Sequence, residues 1–139
     1  MPENGAAQEV EALVRRYIEL FNADDFVAAF ECYRMPFTWL FGKRAVTVNS
    51  RDEFLAMMTA TKAALVASGL GSSRILDITV RMMDEYVALA GTEVVRNRAD
   101  GTEMETIGGT YLVHDDGSGW RFVGQGSHSP DAIAPARDL

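Results

Sequence analysis

Residues 10–33, VEALVRRYIELFNADDFVAAFECY, constrain the fold more than any other stretch of the chain. Val10, Leu13, Val14, Tyr17, Ile18 and Phe21 recur at the spacing that lays side chains along one stripe of a 3.6-residue helix. A long amphipathic helix is therefore predicted from about Ala7 to Asn22, after a frayed lead-in over residues 1–6. Tyr17 is the stripe member that carries a hydroxyl, and a phenol on an apolar face must find a hydrogen-bond partner, water or a pocket. The corner Asn22-Ala23-Asp24-Asp25 follows, with Asp24 placed to cap a second helix that carries Phe26, Phe30 and Tyr33 inward and stops before Pro36. Cys32 falls within that helix. A lone cysteine excludes an internal disulfide, and with two histidines on separate elements it makes no metal-binding set, so no metal is expected.

Beyond the corner, PFTWLFGKRAVTV reads as a short hairpin around Gly42-Lys43-Arg44. Ser50-Arg51-Asp52-Glu53 is a capping box that opens a third helix with Phe54, Met58, Thr61 and Leu65 inward and Gly69 at its C-terminal end. From residue 74 the period changes to two: Leu76, Ile78, Val80 and Met82 alternate with polar residues. Residues 85–97 are apolar on both parities, as a central strand requires. Strands over 104–114 and 120–128 complete a meander, and the tail over 130–139 is expected to be mobile. Helices followed by an antiparallel meander define an α+β domain, a twisted sheet wrapped around three helices with a conical cavity between them.

At 139 residues the chain is read as one domain, able to bury roughly 68 % of its unfolded surface. Its net charge of -7, with thirteen scattered basic residues, argues against a nucleic-acid partner, which would need clustered Lys and Arg. No stretch approaches ~18 uninterrupted apolar residues, and the first residues lack a basic, apolar leader. No membrane association and a cytoplasmic location are the resulting expectations. The glycines at 108, 109, 124 and 126 fit no nucleotide fingerprint, because none lies in a loop joining a strand to a helix. They are expected instead to mark bulges or close backbone approach.

RYIELFNADD, FVAAFECY, the capped third helix and the closing GWRFVGQGSHS together resemble the nuclear transport factor 2-like (NTF2-like) superfamily over about residues 8–129. That group includes steroid delta-isomerase, scytalone dehydratase and SnoaL-like polyketide cyclases. The resemblance implies a cone-shaped α+β barrel, paired into a homodimer through the outer sheet face; no cofactor is expected. By similarity to steroid delta-isomerase, Tyr17 matches the oxyanion-stabilising tyrosine of the first helix. Counting along the chain puts Phe41 and Gly109 where that enzyme carries its two acids, departures that remove both ionisable groups.

Strand parity nominates the remaining candidates. Trp120, Phe122, Gly124, Gly126 and His128 share one side of the last strand, taken as the cavity side, with Ile107, Gly109, Tyr111 and Val113 inward on the strand before it. Glu93 lies inside the central strand, where burial would raise its pKa toward a value useful to an acid or base; pairing with Arg96 or Arg98, or an outward parity, is the alternative. Tyr17, Glu93 and His128 are thus the candidate catalytic groups. Phe21, Tyr33, Trp39, Phe41, Met58, Tyr111 and Phe122 are the candidate ligand-binding residues. The leading functional reading is a small-molecule-binding protein with a largely apolar pocket for a small hydrophobic molecule. The alternatives are a cofactor-independent lyase or isomerase acting on a hydrophobic cyclic substrate, and a structural module whose cavity is filled by its own side chains.

Overall fold

The computed structural model describes residues 2–133, with side chains from residue 5 onward. The chain runs α1 (Pro2–Asn22), α2 (Phe26–Phe30), β1 (Tyr33–Phe41), β2 (Arg44–Val48), α3 (Arg51–Ala67), β3 (Leu70–Met82), β4 (Val87–Arg98), β5 (Glu103–Asp115) and β6 (Trp120–His128). One six-stranded sheet has the order β2-β1-β6-β5-β4-β3. Every neighbouring pair is antiparallel except β1 and β6, which run parallel. The sheet does not close; β2 and β3 are its edges, so the cone expected from the sequence is an open wrap around the helices.

The α1 stripe is buried as its spacing demands, with Val10 and Val14 fully inaccessible and Tyr17 and Phe21 close to it. The helix lies chiefly against β3. Asn22 pins its end there by pairing with one backbone unit: Asn22 Nδ2 donates to the Ser73 carbonyl at 2.8 Å and Ser73 N–H donates to Asn22 Oδ1 at 2.9 Å. The following corner differs from expectation. Asp25, not Asp24, caps α2 by accepting from Ala28 N–H at 3.1 Å. Asp24 takes a positive φ of 60° and receives Lys62 Nζ of α3 at 2.7 Å. The same ammonium donates to the Phe21 carbonyl at 2.6 Å and sits 4.6 Å from the Phe21 ring centroid. Because α1 has no basic residue in its last turn, Lys62 supplies the cation that its C-terminal carbonyls favour.

The second helix is shorter than predicted. It ends at Phe30, so Cys32 is a buried turn residue and Tyr33 opens β1. Burial raises the Cys32 thiol pKa, which suits a packing role rather than a nucleophile. The α3 capping box forms, with Ser50 Oγ accepting from Glu53 N–H at 3.2 Å, a cap of about 1 kcal/mol.

Register breaks give the sheet its curl. Gly71 and Leu76 in β3, Met104 in β5 and Val123 in β6 each stand as an extra residue opposite a continuous partner strand. A side chain at Gly71 would have its Cβ 2.6 Å from the Ala99 nitrogen, so this bulge requires glycine. The bulge at Leu76 leaves Ile75, Ile78, Val80 and Met82 packed on the core and turns Leu76 outward, contrary to its predicted place in the inward set. Of the tail expected to be mobile over 130–139, residues 134–139 lie outside the described residues.

Candidate functional site

Between α1, α3 and the inner face of the sheet lies a cavity of about 60 Å³. Its inner wall carries the buried side chains of Tyr17, Phe21, Thr92 and Tyr111, and half-buried Ile18, Thr61, Leu65, Arg96 and Ile107 surround them. The α1 stripe delivers Tyr17 and Phe21. Alternation along β4 delivers Thr92, Val94 and Arg96, and alternation along β5 delivers Ile107, Gly109 and Tyr111.

The last strand departs from simple alternation. Phe122 pairs with Val113 and Gly124 with Leu112, so Val123 is an added residue and the parity of β6 reverses after it. Trp120 and Phe122 face inward as predicted, but Gln125 and Ser127, rather than Gly124, Gly126 and His128, reach the cavity. Tyr33 Oη donates to Gln125 Oε1 at 2.7 Å, which fixes the amide on the inner side.

Tyr17 stands at the centre of an aromatic cluster, edge-on to Tyr33, Phe122 and Tyr111 at ring-centroid distances of 5.5, 5.9 and 6.4 Å. Burial raises its pKa, and hydrogen bonding to Tyr33 and Gln125 offsets part of that rise. The Arg96 charge also acts on this hydroxyl, in the lowering direction. Tyr33 is pushed well above the ordinary phenol value by burial and then by the neighbouring phenols Tyr17 and Tyr111. Tyr111 rises too, chiefly through burial. All three phenols therefore keep their protons near neutrality and act as hydrogen-bonding groups rather than bases.

Thr92 Oγ1 donates to the Gly109 carbonyl at 3.3 Å. A Cβ on Gly109 would lie 2.7 Å from that hydroxyl oxygen, so glycine there keeps the floor open. Arg96 bridges to Glu105 of the facing strand at 2.7 Å. Trp39 Nε1 is buried without a hydrogen-bond partner among the described residues, a desolvation cost of about 1–3 kcal/mol.

The predicted site residues divide between two faces. Tyr17, Phe21, Trp39 and Tyr111 line the cavity, and Tyr33 touches it through Gln125. Met58 and Phe122 are fully buried core behind it. Phe41 is not among the cavity-lining residues: at the end of β1 it borders the outer groove, while its ring packs 4.8 Å from that of Trp39 and 5.1 Å from the Arg44 guanidinium. Glu93 has the parity opposite to Thr92 and Val94 and sits between Asp77 and Gly108 on the outer face. Arg96 pairs with Glu105, not with Glu93. His128 also lies outward, folded over Gly108, with Nε2 2.7 Å from Thr110 Oγ1 and Nδ1 2.8 Å from the Ser129 carbonyl. Tyr17, Glu93 and His128 thus do not converge, and among the described residues no carboxylate or imidazole lines the cavity.

Thr92, Arg96, Gln125 and Ser127 belong to the site without having been singled out from the sequence. The parity of Ile107 and Tyr111, carried across the antiparallel ladder, identifies Thr92 and Arg96. Gln125 and Ser127 depend on the Val123 bulge, which falls beside Gly124, one of the glycines expected to mark such a site, but whose reversal of parity simple alternation does not include. No three His, Cys, Asp or Glu side chains gather as a metal site among the described residues, and no helix is long and apolar enough to cross a membrane.

Three helices held in a curled, mostly antiparallel sheet, with a small cavity between, define an NTF2-like α+β protein. Residues 8–130 match a family described as NTF2-like protein (DUF6841), and the chain belongs to that family. Its fold is similar to that of an NTF2-like protein with a cystatin-like fold from Novosphingobium aromaticivorans, at 21 % identity and a TM-score of 0.73 over 96 % of this chain and 85 % of that one. An NTF2-like protein of unknown function from Pseudomonas putida gives 14 % identity and a TM-score of 0.73 over 90 % and 87 % of the two chains. A scytalone dehydratase-like protein from Novosphingobium aromaticivorans gives 8 % and 0.65 over 91 % and 85 %. At such identities the likeness is one of fold. No curated protein sequence matches the chain.

Proposed function

We propose that this protein binds a small molecule in the inner-face cavity and pairs with a second copy through the outer face of its sheet. The observation that carries the binding reading is a recessed space walled by apolar side chains of α1 and α3 and edged by the polar residues Tyr17, Tyr111, Trp39 and Gln125. Apolar enclosure with a few converging polar groups is the usual form of a ligand site. The unsatisfied Trp39 donor favours it over a structural module whose cavity is closed by its own side chains. Pairing is supported by Leu40 and Leu112, both exposed on the outer face beside Gly124 and Gly126.

A lyase or isomerase is the second reading, favoured by the Tyr17 hydroxyl on the cavity wall. It would need its proton acceptor from the ligand or from water, because Glu93 and His128 lie on the other face.

Thermal stabilisation by small molecules tests the binding reading. A true ligand at a hundredfold excess over its Kd should add about 2.7 kcal/mol. Tyr17→Phe should weaken that response, and Glu93→Gln should leave it intact. Equal loss in both variants, or loss in Glu93→Gln alone, would refute the assignment of the site to the inner face.

A further inference from the structure

The polar wall of the cavity combines hydroxyls, which both donate and accept, with two side chains, Trp39 and Arg96, that only donate. Tyr17, Tyr111, Trp39, Arg96, Gln125 and Ser127 each bring at least one hydrogen to donate. The Gln125 amide is already engaged within the protein, its carbonyl oxygen accepting from Tyr33 at 2.7 Å and its side chain hydrogen-bonding to Tyr17. Among the described residues the wall has no carboxylate and no imidazole to receive a ligand hydrogen. Trp39 Nε1 can only donate, and it is buried with no partner among the described residues. Arg96 is the charged side chain of the wall. Its bridge to Glu105 engages Nη1, one part of a guanidinium that carries five N–H groups. The space of about 60 Å³ is less than half of the ~150 Å³ that admits benzene, so it suits a ligand portion smaller than that ring.

We infer that the cavity takes a small carboxylate, a propionate-sized acid or the carboxylate end of a longer one, with Trp39 Nε1 as a direct donor and Arg96 as the counter-charge. The inference rests on the reading of this cavity as the ligand site. A carboxylate offers lone pairs on both oxygens and no hydrogen, which complements the donor-only indole of Trp39 and guanidinium of Arg96. Buried negative charge needs an opposite charge and hydrogen bonds, and the wall supplies both. An ammonium would find no counter-ion. A neutral ketone would satisfy Trp39 but gain little from Arg96.

Titration of ¹⁵N-labelled protein at pH 7 and constant ionic strength with sodium propionate, propylamine hydrochloride and acetone separates these cases. The Trp39 indole N–H is assigned by its loss in Trp39→Phe, and the Trp120 indole serves as internal control. Propionate should move the Trp39 indole resonance saturably and downfield, with propylamine causing no shift. Arg96→Gln should weaken propionate about tenfold while changing acetone little, as expected on loss of one charge-assisted contact. If acetone shifts Ile18, Leu65 and Val94 methyls while propionate leaves Trp39 unmoved, or if Arg96→Gln leaves propionate binding unchanged, the carboxylate inference falls and the binding reading stands. If none of the three probes moves any cavity residue, both fall.

Discussion

The two faces of one sheet use their polar groups in opposite ways. On the inner face, side chains lock one another in place: Tyr33 holds Gln125, Thr92 holds the Gly109 carbonyl, and three phenols pack ring to ring. The space that remains is small and shaped by buried groups, about 60 Å³. The outer face has a wider, shallow groove of about 450 Å³ between Leu40, Leu89 and Leu112, and two of these leucines stand 53 % and 45 % exposed. Size alone would favour the outer groove as a binding site. Pre-arrangement favours the inner cavity, because donors already fixed by packing lose little freedom when a ligand arrives.

Substitutions can break this contrast, and the largest effect belongs to the inner face. Phe122 is fully buried and its ring packs against Tyr17, Tyr33 and Tyr111. Phe122→Ala should cost about 3–5 kcal/mol in denaturant unfolding. A cost below 1 kcal/mol would mean that the cluster is not the rigid frame described.

Alkaline pH acts on the same cluster. The pKa values of Tyr17, Tyr33 and Tyr111 are raised in the folded protein above an unfolded value near 10. Above about pH 10 the unfolded chain therefore binds fewer protons than the native one, and stability falls as pH rises. The contribution is complete below that pH, so these phenols should add no slope to stability between about pH 6 and 9. Urea unfolding across pH 6–11 checks the sign, and Tyr111→Phe should flatten the alkaline limb.

A smaller effect tests how the cavity wall is held. Lys62→Met removes the ammonium from the Phe21 carbonyl and from Asp24, and should destabilise by about 1–3 kcal/mol. It should also shift the Phe21 ring resonances. On the outer face Leu112→Glu should change monomer stability by less than about 0.5 kcal/mol. Its effect is expected in sedimentation instead, as a change from dimer to monomer mass; a monomeric wild type would refute the pairing.

Much of this architecture was legible in the chain because its cause is local. The stripe from Val10 to Phe21 sets α1, Ser50 and Glu53 set the start of α3, and alternation through Ile107 to Val113 sets the inner side of β5. The errors arose where distant partners decide. Asp24 looked like a helix cap, but Lys62, 38 positions away, claims its carboxylate. Parity placed His128 inward, and one inserted residue, Val123, turned the rest of β6 over and brought Gln125 and Ser127 to the cavity instead. Glu93, from its position inside an apolar central strand, reads as a costly buried acid. Its face, which depends on which side the helices cover, is the outer one. Bulges and long-range ion pairs belong to the assembled sheet, and no periodicity in a single strand reports them.

A small occupant should enter between the helices and the inner face rather than the wider groove outside. Methyl chemical shifts recorded with and without xenon pressure test it most directly, because xenon reports accessible apolar space without needing a polar partner. The account predicts saturable shifts at Ile18, Leu65, Val94 and Ile107, with Leu40 and Leu112 unmoved. Shifts confined to Leu40, Leu89 and Leu112 would place the site on the outer face and contradict it.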